Sequence, residues 1–347
     1  MEWHRARFGR RYTGRRTSVL AAAALCFASV FIAPTQATAA PVRAGVPAVV
    51  ESLEHINGNL WNFRVYSPSM NRAIPLLIIR PADTSVPRPT LYMLNGSGGG
   101  KDGSNWLNQT DALEFFADKN VNVVVPLDGE SSYYTDWIED DPRMGRHKWA
   151  TFLTRELPPV IDAALGTNGV NAISGMSMSA TSVLNLAIQA PDLYKGVAAY
   201  SGCAQTSDPL GQAFVRTVVE LRGGGDPTNM WGPYDGPGWR ANDPYLHAEK
   251  LRGLSLYIST GSGRPGPYET ALAEAAQTSE LMDQTLVGGI IEVATNVCTR
   301  HLADRLDELD IPATITFRGV GTHSWGYLQD ELHASWPQLA ASLGLAP

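Results

Sequence analysis

Cysteine is scarce. Only Cys26, Cys203 and Cys298 occur in 347 residues, so no dense disulfide framework holds the fold, and no Cys/His spacing resembles a metal site. No metal and no cofactor are expected. Long apolar runs are lacking too: residues 19–33 form the main candidate, and they fall short of the roughly 20 residues a membrane span needs. Basic residues do not predominate. There are 27 Lys and Arg against 34 Asp and Glu, a formal net charge of −7, which argues against a nucleic-acid partner. The glycine-rich stretch 95–103 matches neither G-x-x-x-x-G-K-[ST] nor G-x-G-x-x-G, which excludes the standard nucleotide-phosphate loops. There is neither an internal repeat nor a break in composition, so one domain is expected.

The N-terminus reads as a targeting segment. Arg5, Arg7, Arg10, Arg11, Arg15 and Arg16 precede the short apolar run, and Ala37-Thr-Ala39 offers a small-x-small cleavage site. Residues 1–39 are therefore expected to be a signal peptide and 40–347 the mature domain, exported to the cell envelope or beyond. Loss of the leader makes the remaining chain more acidic and leaves two cysteines, Cys203 and Cys298. Sequence alone does not decide whether they pair.

From 40 onward the pattern alternates. Residues 40–58 read as a Pro/Ala-rich lead-in. Strands are expected at 61–65, 74–79, 90–94, 121–125, 170–173, 196–200, 254–258 and 313–317, and helices at 106–120, 148–165, 270–309 and 325–343. The stretch 208–243, rich in Gly, Pro and Trp, reads as an irregular cap over the sheet. Alternating strands and helices imply an α/β fold: a mainly parallel central sheet with helices on both faces.

The most informative stretch is Gly175-Met-Ser177-Met-Ser179, between an apolar strand and a helix with Val183, Leu184, Ala187 and Ile188 on one face. Strand, tight turn and helix are what a nucleophile elbow requires, because the turn lifts a serine hydroxyl clear of the sheet. A serine hydroxyl needs a base, and His323 follows the last strand, with Gly319 and Gly321 freeing its loop. An acid should lie between them in the chain. Spacing leaves Asp243, Glu269, Asp283, Glu292 and Asp304 open, with Glu292 marked by apolar neighbours at Ile290, Ile291 and Val293. The glycine-rich loop after the 90–94 strand suits an oxyanion loop, whose backbone N–H groups meet a developing negative charge.

Several ordered strings carry a family resemblance. They are Ser67-Pro-Ser-Met-x-Arg72, Glu130-Ser-Ser-Tyr-Tyr-Thr-Asp-Trp137 and Lys148-Trp-x-Thr-Phe-Leu-Thr-x-Glu-Leu-Pro158, then Gly175-Met-Ser-Met178, Met230-Trp-Gly-Pro233, Asn242-Asp-Pro244 and Gly321-Thr-His-Ser-Trp325. Together they resemble the secreted mycolyltransferases of mycolic-acid bacteria, the antigen 85 family, over nearly the whole chain after the leader. The resemblance implies an α/β-hydrolase fold and acyl transfer through a serine ester. It places the nucleophile on Ser177, the base on His323, the acid on Glu292 and the oxyanion N–H groups on Ser97 and Met178. It also puts Asn95, Gln109 and Trp325 at the sugar site.

The chain departs from the family at that site: Asn95 stands for an aspartate, Gly98 for an arginine and Gln109 for an asparagine. The cysteines of the family's short disulfide are absent around 140–148. The leading expectation is an exported, monomeric acyltransferase. Its donor is an acylated trehalose or another lipid ester, and its acceptor is a sugar or water. A carboxylesterase acting on smaller esters is the alternative. A wall-associated binding protein is a third reading, disfavoured by the presence of Ser177, Glu292 and His323 together.

Overall fold

The computed structural model describes residues 47–346 apart from 82, 102 and 276; the expected leader and its cleavage site lie outside the described residues. Nine strands form one sheet: β1 (Val49–Asn57), β2 (Leu60–Ser67), β3 (Arg72–Ile79), β4 (Thr90–Leu94), β5 (Asn122–Pro126), β6 (Asn171–Met176), β7 (Tyr194–Tyr200), β8 (Ser255–Thr260) and β9 (Thr314–Phe317). Their spatial order is β1-β2-β3-β5-β4-β6-β7-β8-β9. The pairs β1–β2, β2–β3 and β3–β5 are antiparallel. All pairs from β5 through β4 to β9 are parallel. This is the mainly parallel sheet that the alternating pattern implied, in the α/β-hydrolase arrangement that the family resemblance implied.

Period-two alternation explains why both faces are covered. In β4, Tyr92 and Leu94 face one apolar cluster while Leu91 and Met93 face another; in β7, Val197 and Ala199 oppose Ala198 and Tyr200. A strand apolar on both sides must lie between two helical layers. One layer holds the helix spanning 149–165, widened over Phe152–Glu156, and the elbow helix Met178–Gln189. The C-terminal helix Trp325–Ser342 covers the other face through Leu328, Leu332, Trp336 and Leu339.

Three expectations need correction. The lead-in at 40–58 contains β1, an edge strand that places His55 within the sheet. The expected helix at 106–120 is two single turns, Trp106–Gln109 and Ala112–Phe115. Thr110 breaks it: its backbone is extended, its hydroxyl donates back to the Trp106 carbonyl, and the Asp111 N–H goes to Gln329 on the C-terminal helix. The stretch 208–243 is largely helical, with a helix at Pro209–Arg216 continuing through Thr217–Arg222. Asp208 caps it by accepting from the Gly211 N–H at 2.7 Å.

Candidate active site

The segments that follow β4, β6, β7 and β9 line one cavity of about 660 Å³, at the end of a parallel sheet where ligands generally bind. Ser177 follows β6 at the N-terminus of the elbow helix, with φ 56° and ψ −123°. A non-glycine residue holds such a conformation only where its surroundings enforce it. The Ser177 N–H donates to the Tyr200 carbonyl at 2.8 Å. Gly175 leaves the space the turn needs, since a Cβ there would lie 2.6 Å from the Ser179 carbonyl oxygen. Ser179 is wholly buried; its Oγ accepts from the Met176 N–H at 2.8 Å and lies 3.1 Å from the Leu94 carbonyl. The hydroxyl thereby ties the elbow to the end of β4. The sequence analysis gave Ser179 no role of its own and missed this tie.

His323 stands on the loop after β9. Its Nδ1 lies 2.8 Å from Glu292 Oε2. A carboxylate only accepts, so Nδ1 carries the proton and Nε2 is the free acceptor. Nε2 is buried and makes no hydrogen bond, although Ser177 and His323 line the same cavity. The serine–histidine bond is thus open here; such bonds often tighten only once substrate is bound.

Glu292 sits on the helix Gly289–Glu308 and is wholly buried. Its Oε1 accepts from Ser201 Oγ at 2.6 Å, Thr260 Oγ1 at 3.1 Å and the Gly261 N–H at 2.5 Å. Burial alone would raise its pKa. The hydrogen bond and charge of His323, with the Ser201 and Gly261 donors, outweigh that and hold it below the ordinary glutamate value. Ser201, Thr260 and Gly261 end β7 and β8, and nothing in the local sequence signalled this role. The apolar neighbours that drew attention to Glu292 do not bury it: Ile290 is 72% exposed and Val293 52%. The opposite face of the helix does, with Thr295, Thr299 and Leu302 turned inward.

None of the other acid candidates bonds to His323, although Asp283 also lines the cavity. Asp243 accepts from the backbone of Thr206, Ser207 and Leu246. Asp283 and Asp304 are exposed. Glu269 is buried and supports the histidine loop instead, accepting from Thr322 Oγ1 at 2.5 Å and the Tyr327 hydroxyl at 2.6 Å.

Ser97 and Met178 line the cavity beside Ser177, and neither N–H meets an acceptor among the described residues. Trp325 also lines it, its ring edge-on to Trp106 at 5.5 Å. Asn95 and Gln109 differ from expectation. Asn95 has no exposed surface; its amide donates to the Pro126 carbonyl at 2.8 Å and accepts from the Trp106 N–H at 3.3 Å. It fastens the loop and does not line the cavity. Gln109 is exposed outside the cavity. The far wall, absent from the sequence reading, comes from Leu210, Ala213, Phe214 and Val218 of the cap and from Ile290 and Ile291 of the Glu292 helix. The result is a sizeable cavity that has Ser177 and His323 in its lining and an apolar wall from the cap. No helix among the described residues is long and apolar enough to cross a membrane.

Comparison with known proteins agrees with this geometry. A family model described as putative esterase matches residues 67–339. The diacylglycerol acyltransferase/mycolyltransferase Ag85A of Mycobacterium tuberculosis is 31% identical over 293 residues, covering 82% of this chain and 81% of the relative. The corresponding Ag85B of Mycobacterium avium is 31% identical over 346 residues, covering 96% of each. Among solved structures, MPT51 of Mycobacterium tuberculosis aligns with TM-score 0.68 at 24% identity, over 82% of this chain and 98% of that one. An S-formylglutathione hydrolase from Agrobacterium tumefaciens aligns with TM-score 0.58 at 16% identity, over 85% and 100%. These two likenesses bear on the fold. The chain belongs to the antigen 85 mycolyltransferase family, a group of esterase and acyltransferase enzymes within the putative esterases.

Proposed function

We propose that this protein is an exported serine acyltransferase that moves a long fatty-acyl group of the mycolyl type from a trehalose ester to a sugar hydroxyl. Ser177 Oγ attacks the ester carbonyl while His323 Nε2 takes its proton, and Glu292 holds the ring and balances the imidazolium. The Ser97 and Met178 N–H groups receive the oxyanion. His323 then returns the proton to the departing alcohol, and a second hydroxyl, activated by the same histidine, releases the acyl group. One observation carries the reading. His323 is bonded to a wholly buried carboxylate and keeps Nε2 free in the cavity that holds Ser177, which sits at the strained head of the elbow. The names of the relatives support acyl transfer as the reaction class, and the apolar chamber suits a long chain. The reading includes a leader at 1–39, a single domain at 40–347 and a monomer that needs no cofactor.

A second reading, hydrolysis of smaller esters, has its own support. Asn95 is buried, Gln109 lies outside the cavity and Gly98 lacks a side chain, so these three positions of the expected sugar site offer no polar side chain to a sugar there. A mass-spectrometric product assay separates the two. Purified mature protein is given trehalose monomycolate with free trehalose and an arabinan-like sugar as competing acceptors, and Ser177→Ala is the control. Dimycolate or mycolyl-arabinan from the wild type alone supports transfer and names the acceptor. Free acid alone supports hydrolysis.

A further inference from the structure

We propose that a disulfide between Cys203 and Cys298 is a positioning crosslink for the acid–base pair, holding the Glu292 helix against the loop after β7. This rests on the roles just assigned to Glu292 and His323. The structure joins the two cysteines across a sequence separation of 95 residues.

The segment 200–203 touches both the nucleophile elbow and the acid. The Tyr200 carbonyl accepts the Ser177 N–H, Ser201 Oγ donates to Glu292 at 2.6 Å, and the Cys203 carbonyl accepts from Thr181 Oγ1 of the elbow helix at 2.7 Å. Cys203 Sγ is bonded to the helix that carries Glu292. One short loop therefore fixes the nucleophile by a backbone bond, the acid by a hydroxyl and the acid's helix by a covalent bond.

That helix needs an anchor close to Glu292. Upstream, Met282, Leu286 and Val287 are each more than half exposed, so the turns before Glu292 gain little from burial. Downstream, Cys298 lies six residues away, about 9 Å along the helix axis. The seam between this helix and the elbow helix is imperfectly filled. A void of about 10 Å³ lies there, lined by Ala180, Thr181, Leu184, Cys203, Thr299 and Leu302. Packing at that point of the seam leaves room for about one water, and Cys203, one end of the disulfide, lines the gap.

The bond is also chemically addressable. A dithiol such as dithiothreitol breaks the S–S bond to give two thiols and is itself oxidised to its cyclic disulfide. With the crosslink gone, the helix can shift, the bonds of Ser201 and Gly261 to Glu292 lengthen, and His323 loses its fixed orientation. A misplacement of about 1 Å at a reacting group can cost up to about a hundredfold in rate.

The test compares oxidised protein, dithiothreitol-treated protein and the Cys203→Ser/Cys298→Ser variant, with circular dichroism reporting the fold. Two readouts are taken: the downfield proton resonance of His323 Nδ1–H on Glu292, identified by its absence from Glu292→Gln, and kcat and KM on a p-nitrophenyl ester. Both reduced forms are expected to stay folded, to lose or weaken the resonance, and to show kcat lower by about ten- to a hundredfold with KM nearly unchanged. A folded reduced form with the same resonance and the same kcat overturns the inference. So does global unfolding of both reduced forms, which would make the bond a stabiliser of the whole fold, and so does absence of the resonance from oxidised protein. If the oxidised protein shows the resonance but turns over no ester, the proposed function fails while the resonance still decides the inference.

Discussion

At Ser177 the backbone geometry and the chemistry coincide. A φ of 56° raises the hydroxyl above the sheet, and the same turn leaves the Met178 N–H free at the head of the elbow helix. Ser177→Ala should lower turnover by about 10⁴-fold or more while leaving the fold intact. Glu292→Gln should cost about 10³–10⁴-fold in kcat with little change in KM, because the amide no longer fixes the tautomer of His323. Both follow from steady-state kinetics on one ester. Glu292 also contributes to stability with a definite sign. Its folded pKa lies below the 4.5 of an ordinary glutamate, so its contribution is fully present above that value and is lost as pH falls through the lower folded value. Urea denaturation should therefore show the advantage of wild type over Glu292→Gln shrinking between about pH 6 and about pH 3. An advantage that stays constant over that range contradicts the assigned charge state.

Sequence made the serine and the histidine legible because each follows a strand in an order only one fold explains. Glu292 emerged from the family resemblance and from its apolar neighbours, and the second reason was physically wrong: Ile290 and Ile291 line the cavity and Val293 is exposed, so none of them buries the carboxylate. What buries it is a helix face of threonines and one leucine, a signal too polar to mark a core. Ser201, Thr260 and Gly261 were invisible, since their role depends on two strand ends meeting a helix 31 to 91 residues away.

Among the elements, strands with continuous apolar content were read to within a residue or two, while the short helices were not. Residues 106–120 have helical propensity, yet Thr110 satisfies its local backbone with its own side chain and the Asp111 N–H finds a tertiary partner, so two turns replace one helix. The cap was misread in the opposite direction. Its Gly and Pro residues suggest irregularity, but they fall at helix starts, as at Pro209, Pro227 and Pro237, where proline is favoured. The cap helix is what gives the cavity its far wall. Filling that wall should therefore act on chain length: Ala213→Trp should lower kcat/KM for long-chain esters by about tenfold more than for short ones, because the indole takes up cavity space that a longer chain would occupy. A chain-length series of p-nitrophenyl esters measures this, and a uniform effect on all lengths would remove the cap helix from the acyl chamber.

For the whole molecule, a large two-faced core carries the fold, and the Cys203–Cys298 crosslink adds to it. A bond closing a loop of this size is worth about 4–5 kcal/mol in the chain-entropy model. Scanning calorimetry should accordingly show a melting temperature lower by about 10 °C in the reduced protein, with native structure kept at assay temperature. The same core fixes the parallel strands whose following turns and loops line one cavity, so the proposed chemistry depends on the sheet holding those segments in register. The most direct test is to trap the acyl-enzyme. Mature protein, and a His323→Gln variant that forms and releases the ester slowly, are mixed with a long-chain p-nitrophenyl ester, quenched in acid, digested and mapped by mass spectrometry. A mass increment equal to the acyl group, confined to the peptide containing Ser177 and absent from Ser177→Ala, is the predicted result. Continued ester turnover by Ser177→Ala, or an acyl group found on a different residue, would contradict the account.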